Sequence, residues 1–332
     1  MHLDLSHSQQ PDGRYHALSS VGSSGAAIAC VNAIDPRPAD ECAIRRLTSE
    51  ADWLKDVFKR EGALVLRGLG LAHSAGFRRV VELLCSSLRD YEGGTSPRTG
   101  IGDGIYTSTE HPSERVIAQH NEMSYHRSWP DIIAFFCERP PATGGETPVA
   151  DSREVLSRLP AELVSRFESL GVAYTRTFPS APGFAGSWQR TFQSSDASEV
   201  SHRLDAQGVE FRWGRGDVLH TREVRHALQR HRITGERVWF NQAHMWHLSN
   251  LPGFEDADDF PDADDLPMNA TFGDGSPISA ADLSLVRAAY KASERRFLWE
   301  AGDVLLLDNV LFAHGRRAFT GDRRILVAMG VS

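Results

Sequence analysis

Residues 297–330 read FLWEAGDVLLLDNVLFAHGRRAFTGDRRILVAMG, and this stretch carries the clearest information about the fold. The run Val304–Asp308 is apolar until its last residue, and Ala301-Gly302-Asp303 supplies a turn in front of it. A further apolar run covers Arg324–Gly330. Runs of this length, bounded by glycine and aspartate, are typical of buried β-strands. The C-terminal stretch therefore predicts short strands joined by tight turns.

Outward from this stretch, strand patterns alternate with a smaller number of helical patterns. Further strand patterns cover residues 62–68, 115–123, 132–137, 209–213 and 237–242. Apolar residues recur at helical spacing in residues 47–58, 74–88, 152–170 and 276–291. Many short strands with a few helices predict a mainly β fold with flanking helices, either a β-sandwich or a jelly roll.

The composition limits the classes of protein to which the chain can belong. Its 332 residues include 36 Lys+Arg and 44 Asp+Glu, a formal charge of −8, so nothing favours binding to nucleic acid or to an anionic membrane. The four cysteines include no CxxC pair, which suits free thiols in a reducing cytosol. The first residues lack a secretory signal pattern, and no apolar stretch reaches the ~20 residues that span a bilayer. We expect a soluble cytoplasmic protein.

The domain organisation is predicted from the lack of repeats and of long linkers. Residues 1–25 are rich in Ser, Gly, Gln and His, and they predict a flexible tail or a cover strand. Residues 26–332 are then expected to form one domain, with an insert around 175–275 that serves as a lid.

Two local charge runs stand out from an otherwise balanced sequence. Residues 255–265 contain seven acidic residues and no basic residue, and they predict a solvated loop because they lack the ligand spacing of a calcium loop. This segment holds −7 of the formal −8, so the other residues are nearly neutral. The opposite run is either a solvated hairpin face or a docking patch for an anionic partner, and it consists of Arg222, Arg225, Arg230, Arg232 and Arg237.

A candidate metal site begins with His120-Asn121-Glu122, at the end of a predicted strand. Alternation along a strand aims residues i and i+2 to the same side, so both outer side chains can bind one ion. The pattern alone is weak, because about two His-x-Asp/Glu matches are expected by chance in this composition. His314 strengthens it, since it also follows a buried strand. Two histidines and one carboxylate form the facial triad typical of non-haem Fe(II) oxygenases, although the three ligands also permit a zinc hydrolase.

A bidentate 2-oxo acid would fill two of the three positions that such a triad leaves open, and its far carboxylate would need a two-pronged cationic donor. Arg324 starts the last predicted strand, ten residues after His314, and shares its face with Leu326 and Ala328. Arg324 is therefore the predicted donor. Arg323, which points to the opposite face, is the second choice.

Two longer segments carry a family resemblance. RVIAQHNEMSYHRSWPDIIAFFCERPPATGGETPVADSR and FLWEAGDVLLLDNVLFAHGRRAFTGDRRILVAM resemble the taurine dioxygenase-like (TauD/TfdA) family of Fe(II)/2-oxoglutarate oxygenases. The motifs His-Asn-Glu-Met-Ser-Tyr, Gly-Gly-Glu-Thr and Trp-Phe-Asn-Gln-Ala-His are most similar to the amino-acid hydroxylases of nonribosomal peptide pathways, such as the syringomycin aspartate hydroxylase, and to clavaminate synthase. The resemblance extends from about Gly62 to the C-terminus and implies a double-stranded β-helix (jelly roll) core.

The resemblance also implies cofactors and site residues. His120, Glu122 and His314 match the Fe(II) ligands, Thr147 matches the threonine that hydrogen-bonds 2-oxoglutarate, and Arg324 matches the arginine that binds its distal carboxylate. The implied cofactors are Fe(II), the co-substrate 2-oxoglutarate and O2. Taurine dioxygenase has Asp where this chain has Glu122, which argues against a sulfonate substrate.

The implied activity is hydroxylation of an unactivated carbon, Cβ above all, of an amino acid that is free or tethered to a peptidyl carrier protein, in secondary-metabolite biosynthesis. Substrate contacts are expected from Asn121, Ser124, Tyr125 and Arg316. Desaturation or cyclisation with the same cofactors remains open. If the protein were a zinc hydrolase, Thr147 and Arg324 would have no role. If it were a non-catalytic jelly-roll binding module, the three candidate ligands would have no role either.

Overall fold

The computed structural model describes residues 16–23, 25–33, 40–90, 98–181, 186–250 and 266–331. The strands are β1 (His16–Val21), β2 (Ile28–Ala33), β3 (Ala63–Arg67), β4 (Ser87–Leu88), β5 (Gly100–Gly102), β6 (Ile105–Thr107), β7 (Ile117–His120), β8 (Ile132–Arg139), β9 (Thr143–Gly144), β10 (Val149–Asp151), β11 (Val172–Phe178), β12 (Glu210–Trp213), β13 (Leu219–Arg225), β14 (Leu228–Arg230), β15 (Arg237–Trp239), β16 (Met268–Phe272), β17 (Glu294–Arg295), β18 (Val304–Asp308), β19 (Phe312–Arg316), β20 (Phe319–Thr320) and β21 (Arg324–Val331). The helices are α1 (Asp40–Ser49), α2 (Ala51–Glu61), α3 (Ser74–Glu82), α4 (Ser152–Ser157), α5 (Ala161–Leu170), α6 (Trp188–Phe192), α7 (Ala197–Gln207), α8 (Ala243–Trp246) and α9 (Ala280–Ala292). This content confirms the prediction of a mainly β fold with flanking helices.

The chain divides into two compact units. The first contains the described parts of residues 1–122, 129–152 and 293–332, and the second contains those of 123–128 and 153–292. The predicted insert around 175–275 falls within the second unit. Its acidic segment, 255–265, lies outside the described residues, as does most of the predicted tail, of which residues 16–21 form β1 and pair with β2.

The first unit is built on two facing sheets. A nine-stranded sheet has the order β1-β2-β3-β18-β8-β21-β6-β5, with β4 also paired to β21, and a four-stranded sheet has the order β17-β10-β19-β7. The alternate side chains on one face of the large sheet pack with α1, α2 and α3 in a core that includes Leu64, Phe136 and Leu326. The other face carries Phe135, whose ring lies 5.0 Å from that of His314 in the small sheet.

The local sequence explains how α2 gives way directly to the first central strand. Gly62 ends the helix with φ of 69°, and its N–H donates to the carbonyl oxygen of Phe58. A glycine accommodates this left-handed conformation without strain. The chain then enters β3, where four consecutive residues are buried, because this strand is covered on both of its faces.

The second unit contains the sheet β12-β13-β11-β16 and the hairpin β14-β15. Leu163 and Phe167 of α5 are buried, and the ring of Phe167 meets those of Trp239 and Phe272. Pro160 is the N-cap of α5, so the predicted helix over 152–170 is divided into α4 and α5 at this residue. Among the helices in the described ranges, none combines the length and apolarity needed to cross a membrane.

Candidate active site

The structure brings the three predicted metal ligands together where β19 pairs with the edge strand β7 of the small sheet. His120 ends β7 and pairs directly with His314 in β19, while Glu122 follows two residues later. One potential ligand atom from each residue lies within 4.8 Å of the other two. The three residues are buried, with 8%, 4% and 3% of the surface of His120, His314 and Glu122 exposed. Residues far apart in sequence thus form one enclosed donor set.

Both histidines are held in the form that binds metals. His120 Nδ1 lies 2.8 Å from the carbonyl oxygen of Ala118, which can only accept, so Nδ1 carries the proton and Nε2 offers its lone pair. Burial lowers the pKa of His120 and lowers that of His314 well below its usual value, with nearby His120 and Arg98 adding to the effect on His314. Two neutral imidazoles and one carboxylate fit the ligand set of a non-haem Fe(II) centre.

Glu122 is held at its backbone by the side chain of Asn309. The Asn309 Oδ1 atom accepts from the Glu122 N–H at 2.7 Å, and Nδ2 donates to the Glu122 carbonyl oxygen at 3.0 Å. The same Nδ2 donates to the carbonyl oxygen of Pro130 at 2.9 Å. Asn309 is fully buried, so these bonds fix the short loop after β7 without competition from water. Asn309 directly follows the apolar run that ends at Asp308, but no pattern in the sequence revealed this contact.

The carboxylate of Glu122 has a partner that the sequence did not reveal. Arg98 Nη2 donates to Glu122 Oε2 at 2.8 Å, and the two side chains are 3% and 4% exposed. The same oxygen lies 3.7 Å from His314 Nε2. Arg98 comes from a stretch rich in Gly, Ser and Thr, in which no periodicity distinguishes a site residue from a loop residue.

A cavity opens beside the donor set. Its walls are formed by polar and cationic side chains together with the ring of Phe135, and they include Arg98, His120, Thr147, His314, Arg316 and Arg323. Thr147 is buried and accepts a hydrogen bond from Trp299 Nε1 at 3.3 Å. The predicted contact residue Thr147 therefore lies in the same cavity as the donor set, at a wall that also carries arginine.

The structure places Arg323, the second choice, at the cavity and leaves Arg324, the first choice, outside its lining. Arg323 lines the cavity, with Nε donating to the carbonyl oxygen of Gly145 at 3.0 Å. Burial lowers the pKa of Arg323 to about 10, and Arg316 adds a smaller effect, so its guanidinium remains charged at neutral pH. Arg324 is half exposed and forms an ion pair with Glu138 at 2.5 Å.

The packing of β21 explains why the alternation in the sequence favoured Arg324. The sequence placed Arg324 on the face of Leu326 and Ala328, and these two residues belong to the core under the helices. The side of the sheet that faces His314 is the opposite one. A bulge between Arg324 and Ile325, where the register with β8 shifts, also separates the arginines from the regular alternation of the strand.

Two of the four residues predicted to contact the substrate, Asn121 and Arg316, lie in the first unit and bind other residues of the protein. Asn121 is fully buried, and its Nδ2 donates to Ser152 Oγ at 3.1 Å and to the carbonyl oxygen of Asn309 at 2.7 Å. Arg316 does line the cavity. Its terminal nitrogens, however, donate to the backbone oxygens of three residues, His111, Pro112 and Arg115. Asn121 and Arg316 therefore brace the walls around the donor set.

The other two predicted contacts, Ser124 and Tyr125, lie in the second unit. The ring of Tyr125 lies 4.9 Å from that of Trp246 and 6.2 Å from that of Tyr174, in an aromatic cluster. Ser124 is buried. Tyr125 therefore packs against these two rings. A contact of Ser124 or Tyr125 with the substrate stays a prediction.

The arginine run of the second unit is largely neutralised by neighbouring carboxylates. Arg222 pairs with Glu210 at 2.8 Å, and Arg237 pairs with Glu168 at 2.6 Å. Arg225 forms an ion pair with Glu223. Three of the five arginines thus have acidic partners, which reduces the attraction of this surface for an acidic protein.

Comparisons with known proteins agree on one family. Residues 39–329 match the family described as "Taurine catabolism dioxygenase TauD, TfdA family". The dapdiamide synthesis protein DdaC of Enterobacter agglomerans is 34% identical over 278 residues, which cover 83% of this chain and 84% of that protein. A clavaminate synthase-like protein of Arabidopsis thaliana is 30% identical over 295 residues, covering 85% and 86%.

Solved structures extend the likeness to the whole fold. The PvcB protein of Pseudomonas aeruginosa aligns with a TM-score of 0.57 at 14% identity, covering 98% of this chain and 94% of that one. An asparagine oxygenase in complex with Fe(II), 3-hydroxyasparagine and succinate aligns with a TM-score of 0.53 at 14% identity, covering 89% and 85%. At these identities the structures show the fold alone, and they confirm the predicted jelly roll.

Proposed function

The chain belongs to the TauD/TfdA family and is an oxygenase that depends on Fe(II), 2-oxoglutarate and O2; from that premise we propose that it hydroxylates the β-carbon of an amino acid. The observation that carries the chemistry is the enclosed donor set of two neutral imidazoles and one carboxylate beside a cationic cavity. The similarity to a dapdiamide synthesis protein supports an amino-acid-like substrate and a place in secondary metabolism. The zinc-hydrolase alternative is not retained, because the family fixes the cofactor chemistry.

In the proposed site, His120, Glu122 and His314 hold the iron, and the remaining residues serve the co-substrate and the dry cavity. When bound, Fe(II) and 2-oxoglutarate supply the activation of O2 that allows an unactivated C–H bond to be oxidised. Arg323 and Thr147 receive the distal carboxylate of 2-oxoglutarate, since they offer a cation and a hydroxyl in one cavity.

The protein surroundings keep this chemistry on its substrate. The ring of Phe135 closes the cavity against the large sheet and excludes water from the His314 side. Arg316 stays bound to backbone oxygens and so contributes charge without moving. A cationic lining favours dianionic 2-oxoglutarate over neutral metabolites.

The proposal also includes the domain organisation, the form of the substrate and the location of the enzyme in the cell. Residues 26–332 act as one oxygenase domain with an insert around 175–275 as its lid, and Ser124 and Tyr125 contact the substrate. The amino acid is used free or on a peptidyl carrier protein, and the enzyme works in the cytoplasm.

A direct test combines anaerobic loading with a single oxidation. The full chain is loaded with Fe(II) and 2-oxoglutarate without O2, mixed with free or carrier-bound amino acids, and exposed to O2. Succinate formed in equal amount with a product heavier by one oxygen atom supports the proposal. The loss of one carboxylate from the donor set, in Glu122→Ala, should abolish coupled succinate, whereas Glu138→Ala, which removes a carboxylate outside the cavity, should not. Coupled turnover by Glu122→Ala would refute the ligand assignment.

A further inference from the structure

Arg98 has a buried side chain in direct contact with the donor set, and the sequence assigned it no role. We propose that Arg98 is a positioning residue of the metal site, which holds Glu122 Oε2 towards His314 so that the carboxylate is ready to bind the ion. This inference rests on the proposed role of Glu122 as a metal ligand.

The first argument is the geometry of the ion pair. Arg98 Nη2 donates to Glu122 Oε2 at 2.8 Å, and that same oxygen lies 3.7 Å from His314 Nε2. A carboxylate oxygen has two lone-pair directions, so one can accept from Arg98 while the other remains for a metal ion. A charge-assisted bond of this length constrains the oxygen more strongly than a neutral one does.

The second argument is that a glutamate ligand needs such a constraint. Glutamate has one more rotatable bond than aspartate, and its carboxylate can therefore leave the ligand position by rotation. Asn309 binds the backbone N–H and the backbone carbonyl oxygen of Glu122. These two bonds leave the carboxylate group of Glu122 unconstrained. Arg98 supplies the missing constraint at the far end of the side chain.

The third argument is that Arg98 itself is rigidly supported. The next residue, Thr99, exchanges two hydrogen bonds with Thr107: its N–H donates to Thr107 Oγ1 at 2.8 Å, and its carbonyl oxygen accepts from the Thr107 N–H at 2.9 Å. The hairpin of β5 and β6 continues from this point and pairs with β21 in the large sheet. Arg98 therefore lies two residues before β5, next to a residue that is anchored to the sheet, and such support helps a side chain to position a ligand.

An opposing effect must be weighed, because a guanidinium cation close to a bound divalent ion also repels it. Loss of an outer hydrogen-bond partner of a metal ligand commonly lowers metal affinity by about 10- to 100-fold. If positioning dominates, the removal of Arg98 weakens metal binding. If repulsion dominates, the same removal strengthens it. The two effects therefore predict opposite signs.

The experiment measures the binding of Co(II) to the metal-free full chain, by calorimetry and by the visible absorption of the bound ion. We expect Arg98→Met to raise the Co(II) dissociation constant by about 10- to 100-fold and to broaden the absorption bands. Arg98→Lys, which keeps a charged donor, should fall between Arg98→Met and the parent. A dissociation constant for Arg98→Met that is unchanged or lower than that of the parent overturns the proposal.

Arg324→Met is the matched control, because Arg324 is a half-exposed cation outside the cavity and is paired with Glu138. It should leave the Co(II) dissociation constant within about twofold of the parent. An effect of Arg324→Met as large as that of Arg98→Met would assign the change to the loss of a positive charge from the protein and overturn the positioning role.

A double-mutant cycle with Glu122→Asp covers the case in which Arg98→Met folds poorly. The shorter side chain withdraws its oxygens from Arg98, so Arg98→Lys should add little to Glu122→Asp although it weakens binding in the parent. Additive effects would contradict a direct partnership. Unaltered Co(II) binding by Glu122→Ala would instead remove the proposed function itself, whereas loss of binding in Glu122→Ala with none in Arg98→Met would remove only the role of Arg98.

Discussion

The two adjacent arginines at the start of β21 provide the sharpest test of the proposed co-substrate site. Arg323 lines the cavity beside Thr147, while Arg324 is half exposed and paired with Glu138. The substitutions Arg323→Met and Arg324→Met each remove one cation, and the two positions are consecutive in sequence. Any difference in 2-oxoglutarate binding therefore reports which guanidinium faces the cavity.

The expected magnitudes differ by orders of magnitude. Truncating one partner of a desolvated charge pair costs about 2–5 kcal/mol, so Arg323→Met should weaken 2-oxoglutarate binding by roughly 30-fold to several thousand-fold. Arg324 takes part in a surface ion pair, which contributes about 0–1 kcal/mol to stability. Arg324→Met should therefore leave 2-oxoglutarate binding within about twofold of the parent.

The assay is an anaerobic titration of 2-oxoglutarate into the metal-loaded full chain, followed by calorimetry, with thermal melting as the folding control. Arg323→Lys distinguishes charge from geometry, because lysine keeps the charge but loses the two-pronged donor. Intact 2-oxoglutarate binding by Arg323→Met together with a large loss in Arg324→Met would refute the assignment and restore the orientation that the sequence favoured.

Three further predictions concern stability and the ligand strand. Burial lowers the pKa of His247 to about 4, so between pH 6.5 and 4 the unfolded chain takes up a proton that the folded chain does not. The free energy of unfolding should therefore fall by roughly 3 kcal/mol as the pH falls through this window. Denaturant titrations of His247→Gln should show a flatter dependence of the unfolding free energy on pH. Arg67→Met leaves the buried carboxylate of Asp303, which is 1% exposed, without its bidentate partner. The free energy of unfolding should fall by about 3 kcal/mol. The double variant with Asp303→Asn should regain part of this loss, because it no longer buries an unpaired charge. Gly315→Ala would place a Cβ 2.5 Å from a backbone oxygen of β7, so both the melting temperature and Co(II) affinity should drop, whereas Gly100→Ala, with 3.8 Å to its nearest neighbour, should change neither.

The metal ligands were predictable because local rules place them. His120 and Glu122 are two residues apart at a strand end, and His314 follows a strand whose apolar pattern is unmistakable. The β-strand pairing of His120 with His314 then brings together two positions that the sequence had already marked as ligands. The strands β3, β8, β18 and β21 were predictable for the same reason, since each is a run of apolar residues bounded by turns.

The supporting residues were not predictable, because their partners are set by long-range packing. Arg98 meets Glu122 across 24 residues, and Asn309 meets it across 187 residues. No periodicity links such pairs. Asn121 was interpreted as a substrate contact because it directly follows the first ligand, but its amide donates to Ser152 and to the backbone of Asn309.

The sequence by itself determined the fold class, the candidate ligand set and the kind of chemistry, because strand patterns and motif spacing are properties of short segments. Only the tertiary structure decided which of the two arginines, Arg323 or Arg324, lines the cavity. Arg323 lies just before β21 and Arg324 is its first residue, but the face of the sheet that becomes the interior depends on which side the helices cover. That choice is made by the burial of apolar surface over the whole sheet, and no single strand contains it.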